Sequence, residues 1–196
     1  MNLPNKLTVS RIILAFAFVG FLFGHGIIYK ALALATFALA SLTDMVDGYL
    51  AKSRNEMTDF GRLMDPVADK ILVLSAFVSF VELRLIPAWM VIAIIFREVT
   101  ITGLRLFALS KGKVIPADGG GKNKTVWQMS SIFLILIFLI LKEPNKTGRA
   151  ILSGRGEVVF QDAIFYVMVV TVIFTLASGI SYLAKNRGLY ATEKKS

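Results

Sequence analysis

Cysteine is absent from this chain of 196 residues, which removes both a disulfide framework and any thiolate metal site. Charge is scarce too: Asp, Glu, Lys and Arg make up 18% of the residues, against a hydrophobic share of 56% and a mean hydropathy of +0.68. An average soluble domain carries more charge and less apolar surface, so the composition is that of an integral membrane protein. There is no internal repeat, no low-complexity segment and no basic, aromatic-interleaved soluble module, which argues against nucleic acid as a partner. The net charge of +9 therefore reads as contact with anionic headgroups and phosphate-bearing substrates. A chain of this length holds about six spans of roughly 20 residues and no separate soluble domain. We accordingly expect one all-α membrane domain over residues 1–196, a six-transmembrane-helix bundle.

What is present is a succession of apolar runs. A polar segment, 1–11, leads into Ile12 to Phe23, a retained first span that lacks the small-x-small cleavage site of a signal sequence. Gly24-His25-Gly26 is a turn, and the second run is Ile27 to Leu42. A hydrophilic connection over 52–64 precedes the third run, Val67 to Val81, with Pro66 expected in its first turn, where a helix tolerates it. Ala88 to Leu109 is a fourth span interrupted by Arg97, Glu98 and Arg105, and Lys111 to Lys124 is a cationic, glycine-rich loop. Gly119 to Gly121 is a weak phosphate-loop signal, because no strand precedes it and P-loop spacing is absent. Val126 to Leu141 is the fifth run and Val158 to Leu183 the sixth, followed by a basic tail, 185–196. Placing the amino terminus, both cationic connections and the tail on one side gathers most lysines and arginines there, which makes that side cytoplasmic. The opposite side receives Lys30, Arg84, Lys142, Lys146, Arg149 and Arg155.

Against this background the carboxylates between 43 and 70 are conspicuous. Asp44 and Asp47 are three residues apart at the end of the second run, and Asp65 and Asp69 are four apart at the start of the third. Each pair shares one helical face. An unpaired carboxylate costs roughly 2.5 kcal/mol or more near the bilayer centre and somewhat less towards its edge, so something positive must face these. Lys70 and Arg62 offer a purely structural pairing, but two basic residues do not neutralise four convergent acids as compactly as a hard divalent cation does. Gly48 and Ala51 remove bulk beside Asp47, either for close approach of a ligand or for close helix packing. Asp59 and Glu56 sit mid-loop among polar neighbours and read as solvated. His25 is alone at the other end of the spans and reads as an interfacial residue.

The pattern Asp44-x-x-Asp47-Gly48-x-x-Ala51-Lys52, eight residues, then Gly61-x-x-x-Asp65-x-x-x-Asp69 resembles the signature of the CDP-alcohol phosphotransferase family. It departs at Lys52, where the family has Arg; a lysine offers a point charge where arginine grips phosphate through two parallel hydrogen bonds. Further resemblance runs through Asn2-Leu3-Pro4-Asn5-Lys6-Leu7-Thr8-x-x-Arg11, Pro87-Ala88-Trp89-Met90, Arg97-Glu98, Thr102-Gly103-Leu104-Arg105 and Gly121-Lys122-x-Lys124-Thr125. These stretches are similar to bacterial members that use glycerol 3-phosphate as the acceptor.

The resemblance implies a six-helix enzyme of the bacterial cytoplasmic (inner) membrane, commonly a homodimer, with a polar cavity facing the cytoplasm. It implies transfer of the phosphatidyl group from CDP-diacylglycerol to sn-glycerol 3-phosphate, with release of CMP. It further implies that Asp44, Asp47, Asp65 and Asp69 ligate one or two Mg2+ or Mn2+ ions and that Asp69 is also the general base. Gly48, Ala51, Lys52, Thr58 and Gly61, with Asn5 and Thr8, resemble the residues that hold the CDP group. For the acceptor phosphate we expect Arg105, Lys122 and Lys124, with Arg11 approaching from the amino-terminal segment. Glu98, Thr102 and Arg105 fall on one stripe of the fourth span, so Arg105 has two other uses, pairing with Glu98 or snorkelling to the interface; Arg11 is equally a headgroup anchor. Inositol phosphate, serine or phosphatidylglycerol remain alternative acceptors. A cation transporter is the competing class, since intramembrane aspartates also line ion paths; against it, the four acids gather at one face, and we expect no acidic partner in the first, fifth or sixth run to continue a route.

Overall fold

Inside a bilayer no water satisfies the backbone, so apolar runs of this length close their hydrogen bonds within themselves, as helices. The computed structural model describes residues 3–54, 59–110, 120–144 and 150–187, with side chains over 9–43, 70–109, 124–144 and 150–187. Among the described residues there are six helices and no strand: α1 (Leu3–Phe23), α2 (Ile27–Arg54), α3 (Asp59–Glu82), α4 (Ala88–Ser110), α5 (Gly120–Lys142) and α6 (Arg155–Lys185).

Four helix ends fall six residues or more outside the apolar runs that mark them in the sequence. Helix α1 already begins at Leu3, α2 continues to Arg54, α3 starts at Asp59 and α5 at Gly120. Residues 3–11, residues 52–54 and 59–64 of the hydrophilic connection, and residues 120–124 are thus helical. Hydropathy marks where hydrocarbon ends, whereas a helix continues for as long as its backbone bonds do. Pro66 consequently lies eight residues into α3, not in its first turn. A proline there removes the bond an amide would donate to the carbonyl four residues earlier.

The turns at the other end have local causes. Gly26 adopts φ 97°, and a side chain on Gly24 would stand 2.6 Å from the Tyr29 ring, so both positions of the α1–α2 turn require glycine. Lys30 reaches back from α2, its Nζ donating to the carbonyls of Leu22 (2.6 Å) and Gly24 (2.9 Å). It thereby satisfies carbonyls that the end of α1 leaves open. Helix α3 closes with Arg84 at φ 55°, which lets the Leu85 amide return to the Phe80 carbonyl (2.9 Å) and the Arg84 amide to Val81 (2.9 Å). This is a Schellman closure with arginine where glycine is usual.

Helix α1 packs against α2 and α3, α6 against both α4 and α5, and α5 also against α2 and α3. Phe18, Phe37, Phe77, Phe80, Ile132 and Phe138 are fully buried where these helices meet. Phe37 touches both Phe18 and Phe133 at ring-centroid distances of 5.4 Å. Large apolar side chains also line the outside: Phe16 is 73% exposed, Phe96 69% and Tyr166 68%. An outer surface this apolar suits lipid rather than water. Among the described residues two helical stretches, Lys124–Lys142 and Arg155–Lys185, are long and apolar enough to cross a membrane, while Val9–Phe23 and Ile27–Thr43 are shorter apolar stretches. In α4 the charges of Arg97, Glu98 and Arg105 break the apolar run.

Candidate functional site

The helix directions decide which residues share an end of the bundle. The Gly26 amide donates to Glu143 Oε1 at 2.6 Å, so the α1–α2 turn and the close of α5 stand together. Helix α2 leaves that end at Ile27 and carries Asp44 and Asp47 roughly 25 Å away at 1.5 Å per residue. Lys124, near the start of α5, lies at the same far end. Asp65 and Asp69 are in the first half of α3, directly before Lys70. The side chains of all four aspartates lie outside the described residues. Among the described residues no three His, Cys, Asp or Glu side chains gather as a metal site. The sixth run does hold an acidic residue, contrary to expectation: Asp162 is exposed near the start of α6, at the other end from these aspartates, and so continues no route from them.

At the far end the described side chains converge on Glu98. Its side chain is buried, 6% exposed. Lys124 Nζ from α5 donates to Glu98 Oε1, Arg97 Nη1 donates to the same oxygen at 3.1 Å, and Lys70 Nζ from α3 stands 3.9 Å from Oε2. A buried carboxylate is tolerable only when paired and hydrogen-bonded, and here cations from three helices meet that requirement. Lys70 therefore faces Glu98, a partner the sequence does not single out for it.

Helix α6 supplies the backing. Arg97 Nη2 donates to Ser178 Oγ at 2.8 Å, and Gly179 leaves the space through which Arg97 passes: a Cβ on Gly179 would lie 2.9 Å from Arg97 Cγ. Arg97 Nε is buried and makes no hydrogen bond among the described residues. One turn further along α6, Tyr182 is 2% exposed; its hydroxyl accepts from Arg105 Nε at 3.4 Å, and the guanidinium lies 5.4 Å from its ring centre. One turn back, Thr175 meets Gln128 Nε2 of α5 at 3.4 Å. Three polar links thus close a triangle, Glu98–Lys124 between α4 and α5, Arg97–Ser178 between α4 and α6, and Gln128–Thr175 between α5 and α6. Such links serve helix association in lipid, where hydrophobic burial does not.

Ser178, Gly179 and Tyr182 are not among the residues the sequence reading selects. The signal was nevertheless there: Thr171, Thr175, Gly179 and Tyr182, all buried, recur every three or four residues in an otherwise apolar run, which is one polar face of a helix turned inward.

The remaining expected residues fall as follows. Arg105 is held by Tyr182 rather than by Glu98 among the described residues. Thr102 Oγ1 donates to the Glu98 carbonyl at 2.7 Å, so its hydroxyl serves its own helix. Lys124 is engaged by Glu98. Arg11 is 5% exposed; it turns into the protein and is not a surface headgroup anchor. Asn5 and Thr8 are on α1, Gly48, Ala51 and Lys52 on α2, Gly61 on α3 and Lys122 on α5, with their side chains outside the described residues. Thr58 lies outside them altogether. His25 is exposed in the α1–α2 turn, at the end away from Lys124.

Known proteins resemble this chain over almost its whole length. The family model described as CDP-alcohol phosphatidyltransferase matches residues 1–177. The CDP-diacylglycerol–glycerol-3-phosphate 3-phosphatidyltransferase of Bacillus subtilis (strain 168) is 37% identical, the alignment covering 94% of this chain and 95% of that protein. A probable phosphatidylglycerophosphate synthase of Mycobacterium tuberculosis (strain ATCC 25618 / H37Rv) is 36% identical over 94% of this chain and 81% of its own. A protein of Mycoplasma pneumoniae bearing the first of those names is 29% identical over 98% and 87%.

Proposed function

The chain belongs to the CDP-alcohol phosphatidyltransferase family, and we propose from that premise that it transfers the phosphatidyl group of CDP-diacylglycerol to sn-glycerol 3-phosphate, giving phosphatidylglycerophosphate and CMP. It is a membrane-associated, CDP-diacylglycerol-dependent enzyme. The observation that carries the reading is the aspartate pattern itself, Asp44, Asp47, Asp65 and Asp69 at family spacing, in a chain matched by that family from residue 1 to 177.

In this reading the acceptor's primary hydroxyl attacks the phosphorus that bears the diacylglycerol. A new phosphorus–oxygen bond forms as the bond to CMP breaks, and Asp69 takes the hydroxyl proton. Asp44, Asp47, Asp65 and Asp69 hold one or two divalent ions. The donor set fits a hard cation, all carboxylate oxygen with no thiolate in the chain and the sole imidazole at the opposite end of α2. When bound, Mg2+ or Mn2+ neutralises the phosphate charge that would repel a nucleophile. Gly48, Ala51, Lys52, Thr58 and Gly61, with Asn5 and Thr8, form the CDP subsite, and Arg105, Lys122, Lys124 and Arg11 the acceptor-phosphate subsite.

The whole chain is one domain of six spans in a bacterial cytoplasmic membrane, assembled as a homodimer, with the aspartate end facing the cytoplasm. Two cations on the opposite side support this orientation by being internally consumed. Lys30 caps α1, and Lys142 pairs with Glu157 at 2.7 Å, which sharpens the asymmetry of free positive charge.

The test is CMP release from CDP-diacylglycerol by purified protein in detergent, against a panel of glycerol 3-phosphate, inositol phosphate, serine and phosphatidylglycerol. Release should require glycerol 3-phosphate, cease on chelation with EDTA and return with Mg2+ or Mn2+. Asp69→Asn should lower it by about 10^2-fold or more, the lower range for a lost general base. Turnover that survives chelation, or an Asp69→Asn rate equal to the parent's, refutes the assignment of roles.

A further inference from the structure

Lys70, Arg97 and Lys124 come from α3, α4 and α5, and Glu98 is the carboxylate on which they meet. Cations held this close repel one another, the more so away from water. Their gathering is favourable because a carboxylate stands between them. Two of the three belong to parts of the chain assigned to the reaction: Lys70 directly follows Asp69, and Lys124 lies on the turn of α5 that carries Lys122. Arg97 differs, since Ser178 and the notch at Gly179 fix it to α6. It braces Glu98 from behind at 3.1 Å, so the order of support runs from α6 through Arg97 to Glu98, and from Glu98 outward to the two lysines.

A lysine without a partner samples many rotamers, and ordering it at the moment of binding weakens the ligand's hold. We propose that Glu98 is a positioning residue for the acceptor: its carboxylate gathers Lys124 and Lys70 beforehand, so that an acceptor carrying a phosphate meets cations already in place. The inference rests on the reading given under Proposed function, and it deepens that reading by tying acceptor recognition to a residue that need not touch the acceptor. The nucleotide side of the site, assigned to α1, α2 and the start of α3, is independent of Glu98.

Steady-state kinetics on Glu98→Gln separates this role from a merely structural one. The KM for glycerol 3-phosphate should rise about tenfold, the effect of losing one charge-assisted contact. The KM for CDP-diacylglycerol should stay within about twofold, because its subsite keeps its own cations. Glu98→Asp keeps the charge on a shorter arm and should recover most of the loss, leaving an acceptor KM about threefold above the parent's. An unchanged acceptor KM in Glu98→Gln, or an equal rise in both KM values, overturns the proposal. Where Glu98→Gln yields too little folded protein, Glu98→Asp carries the test, and a parental acceptor KM overturns it. Calorimetric titration of glycerol 3-phosphate, without the lipid nucleotide, into the parent and Glu98→Gln gives a readout free of turnover. Weaker binding in the variant upholds the role of Glu98 even if the parent released no CMP with this acceptor, which would instead overturn the proposed function. Equal affinities overturn the role of Glu98, and absence of binding to the parent overturns both.

Discussion

Replacing Gly179 with alanine tests whether α6 holds Arg97 in place. The added carbon would stand 2.9 Å from Arg97 Cγ and 3.5 Å from its Nε, while carbon atoms in contact prefer about 3.5–4.0 Å. Relief is difficult, because Arg97 is buried on α4 and the same side-chain conformation serves both Ser178 at 2.8 Å and Glu98 at 3.1 Å. Overpacking of this kind costs about 1–3 kcal/mol, and loss of one hydrogen bond from a charged group adds about 1.5–3 kcal/mol. Alanine returns about 1 kcal/mol in helix propensity. The balance is a destabilisation of about 2 kcal/mol or more, which for a chain of this size lowers Tm by about 4–8 °C. Gly103→Ala is the matched control, since nothing lies within 4 Å of the carbon it would add to α4. It should gain up to about 1 kcal/mol, the propensity difference alone. Thermal unfolding of both variants in the same detergent decides the matter. If Gly179→Ala melts at or above Gly103→Ala, the notch does not brace Arg97 and the order of support from α6 to Glu98 is wrong.

Two further outcomes concern the end of the bundle away from the aspartates. Lys30→Met removes both hydrogen bonds that cap α1 and should cost about 2 kcal/mol, in the range for bonds from a charged donor; it should lower Tm while leaving both KM values as in the parent, and an equal Tm would mean water satisfies those carbonyls instead. Arg84→Gly relieves a non-glycine residue at φ 55° and should raise stability by about 0.5–1 kcal/mol, read as a Tm increase; a decrease would show that the Arg84 side chain supports the turn by more than the left-handed backbone costs.

How legible the molecule is from its sequence depends on the range of the interaction. All six helices could be placed from their apolar runs, but not every one of their ends, because the runs report the hydrocarbon and the backbone bonds do not always stop with it. Pro66 shows the consequence: judged against the apolar run it opens a helix, and judged against α3 it stands eight residues inside one. The inward stripe of α6 was readable in principle from the recurrence of Thr171, Thr175, Gly179 and Tyr182, a pattern that inverts the polar-outside habit of a soluble helix.

The Glu98 cluster was not readable. For Arg105 the sequence offers a cationic pocket, Glu98 or the interface, all argued from its own helix, whereas the Tyr182 hydroxyl it meets lies 77 residues away. Glu98 and Lys124 are 26 residues apart and Arg97 and Ser178 are 81 apart, separations across which periodicity carries no information. What brings them together is the packing of α6 against both α4 and α5, and that packing is set by apolar shape along whole helix faces rather than by the charges that profit from it. The aspartates belong to the opposite case, since two of their spacings lie within single helices and the third crosses one short connection. A motif confined to neighbouring stretches of the chain is thus visible in sequence, whereas a cluster assembled from α3, α4, α5 and α6 needs the fold to reveal it.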